Sequence, residues 1–149
     1  MVERVRGARS GRDARALEQR VTRGSKELVA RWVEAFNARD LDGMLACLAE
    51  DVDFHPLRLT GVLASYDGHD GVREWWATLG DIGHDHRIVL AEVRYLRDGR
   101  VLASGSLKVG GERDVGPFSA VDRVDGGRIV ATHHYLSDAD MLEQIGLIA

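Results

Sequence analysis

The sequence predicts an α+β domain, and three observations carry that reading. Leu28, Trp32 and Phe36 recur every four residues near the start of the chain, with Val29 and Val33 beside them, which makes one apolar stripe on a helix. After Gly83 the apolar period changes from about four to two. The two-fold stretches are separated by DG, GG and DGG turns, the pattern of an antiparallel meander. Helices first and strands after them place a sheet over a helical layer.

The elements follow in order. Residues 1–24 hold seven arginines against three acids, three glycines and few large apolar side chains, so the segment is expected to be a basic, flexible extension, irregular or helical only near Arg12 to Arg23. The domain is expected over 25–149. Ser25 suits the N-cap of the first helix, Asn37 to Asp40 breaks it, and Leu41, Met44, Leu45 and Leu48 start a shorter second helix capped by Asp40. A strand is expected at Val52 to His55, then a loop holding Gly61 and Gly68. Val72, Trp75, Trp76 and Leu79 give a third helix.

Four strands are predicted next, at Arg87 to Leu96, Arg100 to Val109, Glu112 to Val124 and Arg128 to Leu136. Gly116 and Pro117 call for a bulge in the third of them, because proline cannot donate to a ladder. Ser137, Asp140, Met141, Leu142, Ile145 and Gly146 predict a short closing helix.

Totals limit the function. The 149 residues, 44% of them hydrophobic, suit one domain with room for a core and a small cavity. Net charge is −4, but after residue 24 there are 13 basic and 21 acidic side chains, a balance of −8. So acidic a body repels nucleic acid and anionic membranes, and neither is an expected partner. Cys47 is the single cysteine, which rules out an internal disulfide and any multi-cysteine metal site. No stretch approaches the roughly 18 apolar residues of a membrane span, and the N-terminus lacks the apolar centre of a secretory signal, so a cytoplasmic location is expected.

Candidate chemistry rests on histidines, acids and aromatics. The stretch DVDFHP ends a strand on His55 and stops it with Pro56, so His55 reads either as a proton-transfer group or as a half-exposed loop histidine. Alternation along the last strand puts Thr132, His134 and Leu136 on one face and Ala131, His133 and Tyr135 on the other. His84 and His86, two residues apart, have metal-ligand spacing, but no third ligand is compelled to join them and a solvated turn explains them; no metal is expected. His69 reads as a helix-entry residue beside Asp70. Trp32, Phe36, Trp75 and Trp76 are a large share of nine aromatics, suited to a core and equally to the wall of an apolar pocket. Nucleophile-elbow, phosphate-loop and zinc-protease motifs are absent from the sequence, and Cys47 falls on an apolar helix face.

The stretches ARWVEAFNARDLDGMLACLAEDVDFHP, YDGHDGVREWW and VDRVDGGRIVATHHYLSDADMLEQIGL, which together span Ser25 to Leu147, resemble the nuclear transport factor 2 superfamily, in its SnoaL-like and ketosteroid isomerase-like branch. That resemblance implies a cone-shaped fold, a curved antiparallel sheet wrapped around three helices. It also implies isomerase, cyclase or hydratase and epoxide-hydrolase type proton-transfer chemistry, without cofactor, on an apolar ring-bearing or polyketide-like molecule. The tyrosine donor of the isomerases maps onto Trp32, their acid donor onto Ala120 or Ser119, and their base onto His55 or Pro56 according to register. The strand aspartate of SnoaL-like cyclases maps nearest to Asp122, and the Asp-Arg-Asp set of limonene epoxide hydrolases onto Asp53, Arg87 and Asp122.

The resemblance thus nominates His55, His134, Asp53 and Asp122 as catalytic. Trp32, Phe36, Trp75, Trp76, Phe118, Thr132 and Leu136 are nominated for substrate contact. A homodimer through the sheet face that carries His133 is also implied. Loss of the isomerase donors at Trp32 and Ala120 leaves two alternatives open, a non-catalytic ligand-binding protein and a protein-interaction module of the same fold.

Overall fold

The computed structural model describes residues 2–57, 61–82, 85–111 and 113–136. Three helices, α1 (Val2–Asn37), α2 (Leu41–Cys47) and α3 (Gly68–Ile82), pack on one sheet of six strands. The strands are β1 (Leu48–His55), β2 (Tyr66–Asp67), β3 (Arg87–Tyr95), β4 (Arg100–Val109), β5 (Arg113–Asp125) and β6 (Arg128–Tyr135). The α+β expectation is met, with a curved, unclosed sheet in the order β2-β1-β6-β5-β4-β3.

Two features of the sheet differ from the sequence reading. The meander β3 to β6 is antiparallel as expected, but β1 joins it in parallel beside β6, with Phe54 opposite Thr132 and His55 opposite His133. The sheet is therefore mixed. The two-residue β2 extends the edge, setting Tyr66 opposite Phe54, in a segment the sequence read as loop. Tyr66 is buried and its hydroxyl accepts from the Leu63 N–H at 3.0 Å, which explains why so short a strand holds its place.

The first helix does not begin at Ser25. It runs from Val2 to Asn37 without a break, and Ser25 is a buried interior residue, not an N-cap. Arg, Ala, Leu, Gln and Glu between residues 12 and 20 are strong helix formers, and Gly24 alone costs only about 1 kcal/mol, too little to stop the helix there. The basic extension thus enters as the first turns of α1, and its residues 11–24 are almost all exposed.

At the other end the Asp40 N–H donates to the Ala35 carbonyl at 2.9 Å and Arg39 takes a left-handed φ of 59°. This is the six-to-one closure that ends many helices, normally with glycine in the left-handed position. Asp40 then caps α2 as expected, accepting the Gly43 N–H on its side chain at 3.0 Å. Asn37 ties the corner to β3, donating to the Ile88 carbonyl at 2.8 Å and accepting the Ile88 N–H at 2.9 Å.

The bulge in β5 lies one residue ahead of its expected place. Gly116 pairs with Leu107 and Asp114 with Lys108, so Val115 is the extra residue, and Gly116 takes φ 151°. Beyond it, alternation turns Phe118, Ala120 and Asp122 toward the helices and Ser119, Val121 and Arg123 away from them. The core between sheet and helices centres on the fully buried Phe54, Phe118, Met44, Leu48 and Ile129. The closing helix expected after residue 136 lies outside the described residues.

Gly105 of β4 is the most closely approached of the described glycines. A Cβ there would fall 1.9 Å from the Val89 carbonyl oxygen of β3, next to the irregularity between Leu90 and Glu92. The backbone of β3 must move away to admit it. Gly105→Ala is expected to lower stability by about 3 kcal/mol, read as a lower urea midpoint at unchanged slope.

Candidate functional site

The inner face of the sheet and the helices enclose a cavity of about 30 Å³. Trp32 and Phe36 reach it from α1, Trp75 and Leu79 from α3, Phe118 and His134 from β5 and β6, and Ile88 and Leu107 from β3 and β4. Leu57 and His86 complete the lining. Rings dominate: Trp32 stacks on Phe36 at 5.7 Å and on Trp75 at 6.5 Å, and Phe54 meets Trp75 edge-on at 4.7 Å. The helix spacing of four residues brings Trp32 and Phe36 to one face, which is why a stripe in the sequence becomes a wall here.

His134 stands in that wall. Its ring makes edge contacts with Trp32 at 5.4 Å, Phe54 at 5.5 Å and Phe118 at 5.4 Å. Burial pushes its pKa down to about 3, with smaller contributions from the charges of His133 and His55, so the imidazole is neutral at physiological pH. It offers one N–H donor and one acceptor and is a weak base. Trp32 Nε1 is buried in the same wall and, among the described residues, has no acceptor.

Asp122 occupies the next inward rung of the sheet. Ala120 pairs with His134 and Asp122 with Thr132, so Asp122 and His134 are diagonal neighbours on one face, about 7 Å apart at their backbones. The Thr132 hydroxyl donates to the Asp122 carboxylate. Burial nevertheless pushes the Asp122 pKa up to about 7, because the lost solvation outweighs that hydrogen bond. Asp122 and Thr132 are both buried, and His134 is half-buried. A carboxyl group that titrates near neutrality is suited to taking and returning a proton.

His55 and Asp53 lie on the opposite face. Val52 and Phe54 are fully buried, so alternation directs Asp53 and His55 outward. There the His55 Nε2 meets the Asp53 carboxylate at 2.8 Å, and the His55 ring lies flat on His133 with centroids 4.0 Å apart. The four nominated catalytic residues therefore form two pairs, His134 with Asp122 inside and His55 with Asp53 outside. They do not meet at one point: His134 lines the inner cavity and His55 pairs with Asp53 outside, while Asp122, on the inward face by alternation, also borders the outer depression with Asp53. His133 has its pKa lowered, first by burial and then by His55, with Asp53 opposing. Asp53, His133, Tyr135, Arg100 and Arg123 border an outer depression of about 260 Å³.

Of the residues nominated for substrate contact, Trp32, Phe36, Trp75 and Phe118 line the inner cavity. Thr132 serves Asp122 instead, Trp76 is half-buried against Phe36 at 6.0 Å, and Leu136 packs on the core. His86 was read as half of a metal pair and lines the cavity; its neighbour His84 is outside the described residues. Among the described residues, no three His, Cys, Asp or Glu side chains are placed to hold a metal ion. His69 Nε2 donates to the Leu48 carbonyl at 2.9 Å, pinning α3 to β1. Cys47 is buried, and burial raises its thiol pKa, which disfavours the reactive thiolate.

The sequence model of the SnoaL-like domain matches residues 29–132, the span that contributes Trp32, Trp75, Phe118, Asp122 and Thr132. The chain belongs to the SnoaL-like family. Its fold recurs in a protein of unknown function from Burkholderia pseudomallei K96243 described as NTF2-like, with TM-score 0.64 and 26% identity over 83% of this chain and 98% of that one. TerC, crystallised with polyporic acid, gives TM-score 0.65 and 20% identity over 80% and 95% of the two chains. A candidate polyketide cyclase from Xanthomonas campestris pv. campestris gives TM-score 0.60 and 23% identity over 85% and 99%. No curated protein is matched by this SnoaL-like chain. Among the described residues, no helix is long and apolar enough to cross a membrane.

Proposed function

We propose that this SnoaL-like protein catalyses proton transfer on a small, apolar, ring-bearing molecule at its inner face. Asp122 is the acid-base group and neutral His134 the hydrogen-bond donor. One observation carries this reading: a buried carboxyl whose pKa is raised to about 7 shares an inward sheet face with an imidazole in an aromatic wall.

In such a reaction the Asp122 carboxylate takes a proton from carbon next to a carbonyl, and the electron pair moves to the carbonyl oxygen. That oxygen accepts the N–H of His134 while charge develops on it. Asp122 then returns the proton to another carbon, which isomerises the molecule. For ring closure the enolate carbon instead attacks a second carbonyl carbon, whose π pair moves to oxygen, and Asp122 gives its proton to that alkoxide. In both cases the enzyme is left unchanged. Because both side chains project from one inward face as diagonal neighbours, a carbonyl and its α-carbon laid across that face would meet both groups. Aromatic walls exclude water and strengthen both hydrogen bonds.

The cavity volume limits how the substrate enters. About 30 Å³ has room for a water molecule, whereas drug-sized ligands occupy about 300–1,000 Å³. A ring must therefore widen the site, and Leu57, half-buried on the lining and packed on the edge of the core, is a side chain that such widening would displace. The candidate polyketide cyclase of the same fold, and TerC with its polyporic acid, support small organic molecules as the class to test.

A second reading, binding without catalysis, is favoured by the lining itself. Apart from His86 and His134 it is apolar, and Asp122 stands beside it and not on it.

Solvent deuterium exchange separates the two. With a panel of cyclic ketones in D₂O followed by NMR, a catalyst exchanges α-protons faster than buffer, and His55→Ala on the outer face stays within about twofold of wild type. Ketones that bind without accelerated exchange identify the binder. Loss of exchange in His55→Ala with the fold intact moves the chemistry to the outer face.

A further inference from the structure

We infer that the exposed first half of α1 is a docking helix for a second copy of this chain, and that it seats on the acidic sheet edge formed by β1 and β2.

The stripe that packs α1 on the body does not stop at Leu28. Counting back by seven, four and three residues, it continues through Val21, Leu17 and Ala14, so this side of the helix stays apolar after the helix has left the body. Leu28 is 4% exposed, whereas Val21 is 48% and Leu17 56% exposed. The part of α1 ahead of Ser25 is about 35 Å long, enough to cross the face of another domain. Large apolar side chains held in water on a regular helix mark a surface that a partner covers.

Charge names the partner. Residues 1–24 carry seven arginines against three acids, a balance of +4, while the rest of the chain carries −8. Two such arms repel one another, and an arm and a body attract. Nucleic acid or an anionic membrane would gain from the arm but be repelled by the body, whereas a second copy brings the acidic surface itself. Along the stripe, Arg20 and Arg23 lie on one flank of Leu17 and Val21, and both are exposed.

The complementary surface is the sheet edge that ends in β2. Glu50, Asp51, Asp53, Asp67 and Asp70 are all exposed there. Asp53 stands opposite Asp67, and Gly68 lies so close to the Glu50 carbonyl that a Cβ would fall 2.8 Å from its oxygen, so these acids share one small region. Two of the five have a basic neighbour, Asp70 in Arg73 and Asp53 in His55, and the edge stays acidic in balance. Leu63, 57% exposed, belongs to the same edge, because its N–H donates to the hydroxyl of Tyr66 in β2 at 3.0 Å. The edge therefore sets carboxylates around an exposed leucine, and the arm sets arginines beside an exposed leucine and valine. If each copy lends its arm to the other, the contact closes on a two-fold axis.

Sedimentation equilibrium of the full chain tests this. Wild type should associate, with a dissociation constant that rises about tenfold or more between about 0.05 and about 0.5 M salt. Arg20→Glu with Arg23→Glu, and separately Glu50→Lys with Asp67→Lys, should each weaken association about tenfold or more. All four positions are exposed, so the circular dichroism of both variants should match wild type. An equimolar mixture of the two should recover wild-type association, because the acidic arm of one meets the basic edge of the other while the remaining arm and edge are unaltered. Leu17→Gln with Val21→Gln should weaken association and leave its salt dependence in place. A monomeric wild type, an association that both charge-swapped variants retain, as a contact through the outer sheet face would, or a mixture no stronger than its parts overturns the proposal. Binding of duplex DNA or phosphatidylglycerol vesicles by a monomeric chain, lost in Arg20→Glu with Arg23→Glu, would overturn it too and assign the arm to a polyanion.

Discussion

Asp122→Asn is expected to lower α-proton exchange on a turned-over ketone by about 10²- to 10⁴-fold while making the protein less sensitive to alkali. Both effects have one origin. Asparagine keeps the shape of the side chain and can still accept from the Thr132 hydroxyl, but it neither takes nor returns a proton. Folding raises the pKa of Asp122 from 3.8 to about 7, so the folded protein holds this proton more tightly than the unfolded chain does. The stabilisation is complete below about pH 3.8 and is lost as pH rises through about 7. At about 1.4 kcal/mol per unit the loss is on the order of 4 kcal/mol. In the variant that loss disappears, offset by about 1–3 kcal/mol if the new amide N–H₂ finds no acceptor. Urea unfolding at pH 5 and pH 8 measures it: the stability of wild type relative to the variant should fall by about 3 kcal/mol between the two, whatever the other groups contribute to both. Full exchange activity in Asp122→Asn would remove Asp122 from the chemistry.

Much of this architecture is readable before any coordinates, because periodicity reports which face a residue occupies. The stripe at Leu28, Trp32 and Phe36 gives a helix wall, and turn residues at Asp98-Gly99 and Gly126-Gly127 bound strands close to their observed ends. Alternation separates His134 from His133, and the cavity lining includes His134 but not its neighbour. The same rule applied to DVDFHP directs Asp53 and His55 away from Val52 and Phe54. Alignment to the isomerase base set that rule aside, since a family register compares positions along a chain, not the faces they occupy.

Other features left no local signal. A two-residue β2 is below the length at which period two can be recognised, and the parallel pairing of β1 with β6 joins residues about eighty apart. The raised pKa of Asp122 comes from burial by elements from across the chain, which outweighs the lowering hydrogen bond from Thr132. Arg39 was equally silent, because only the backbone angle reveals that a glycine position holds an arginine.

His134→Phe is expected to change the acid side of the stability curve most. Phenylalanine fits the nest of Trp32, Phe54 and Phe118 that surrounds the imidazole, so packing is largely kept. Folding depresses the His134 pKa from 6.5 to about 3, and the folded protein therefore binds this proton less tightly than the unfolded chain. Its contribution is complete above about pH 6.5 and is lost as pH falls through about 3, on the order of 5 kcal/mol in all. The window overlaps that of Asp122 between about pH 4 and 6.5, where the two slopes are equal and opposite at about 1.4 kcal/mol per pH unit. Wild type should accordingly show a nearly flat stability profile there. His134→Phe should unmask a fall toward higher pH, Asp122→Asn a rise, and the double variant should be flat again. Denaturation midpoints at half-unit steps decide it, and NMR of the His134 ring carbons, expected to show no titration between pH 5 and 8, checks the cause. Parallel profiles for wild type and both single variants would mean that neither buried group holds the protonation state assigned to it.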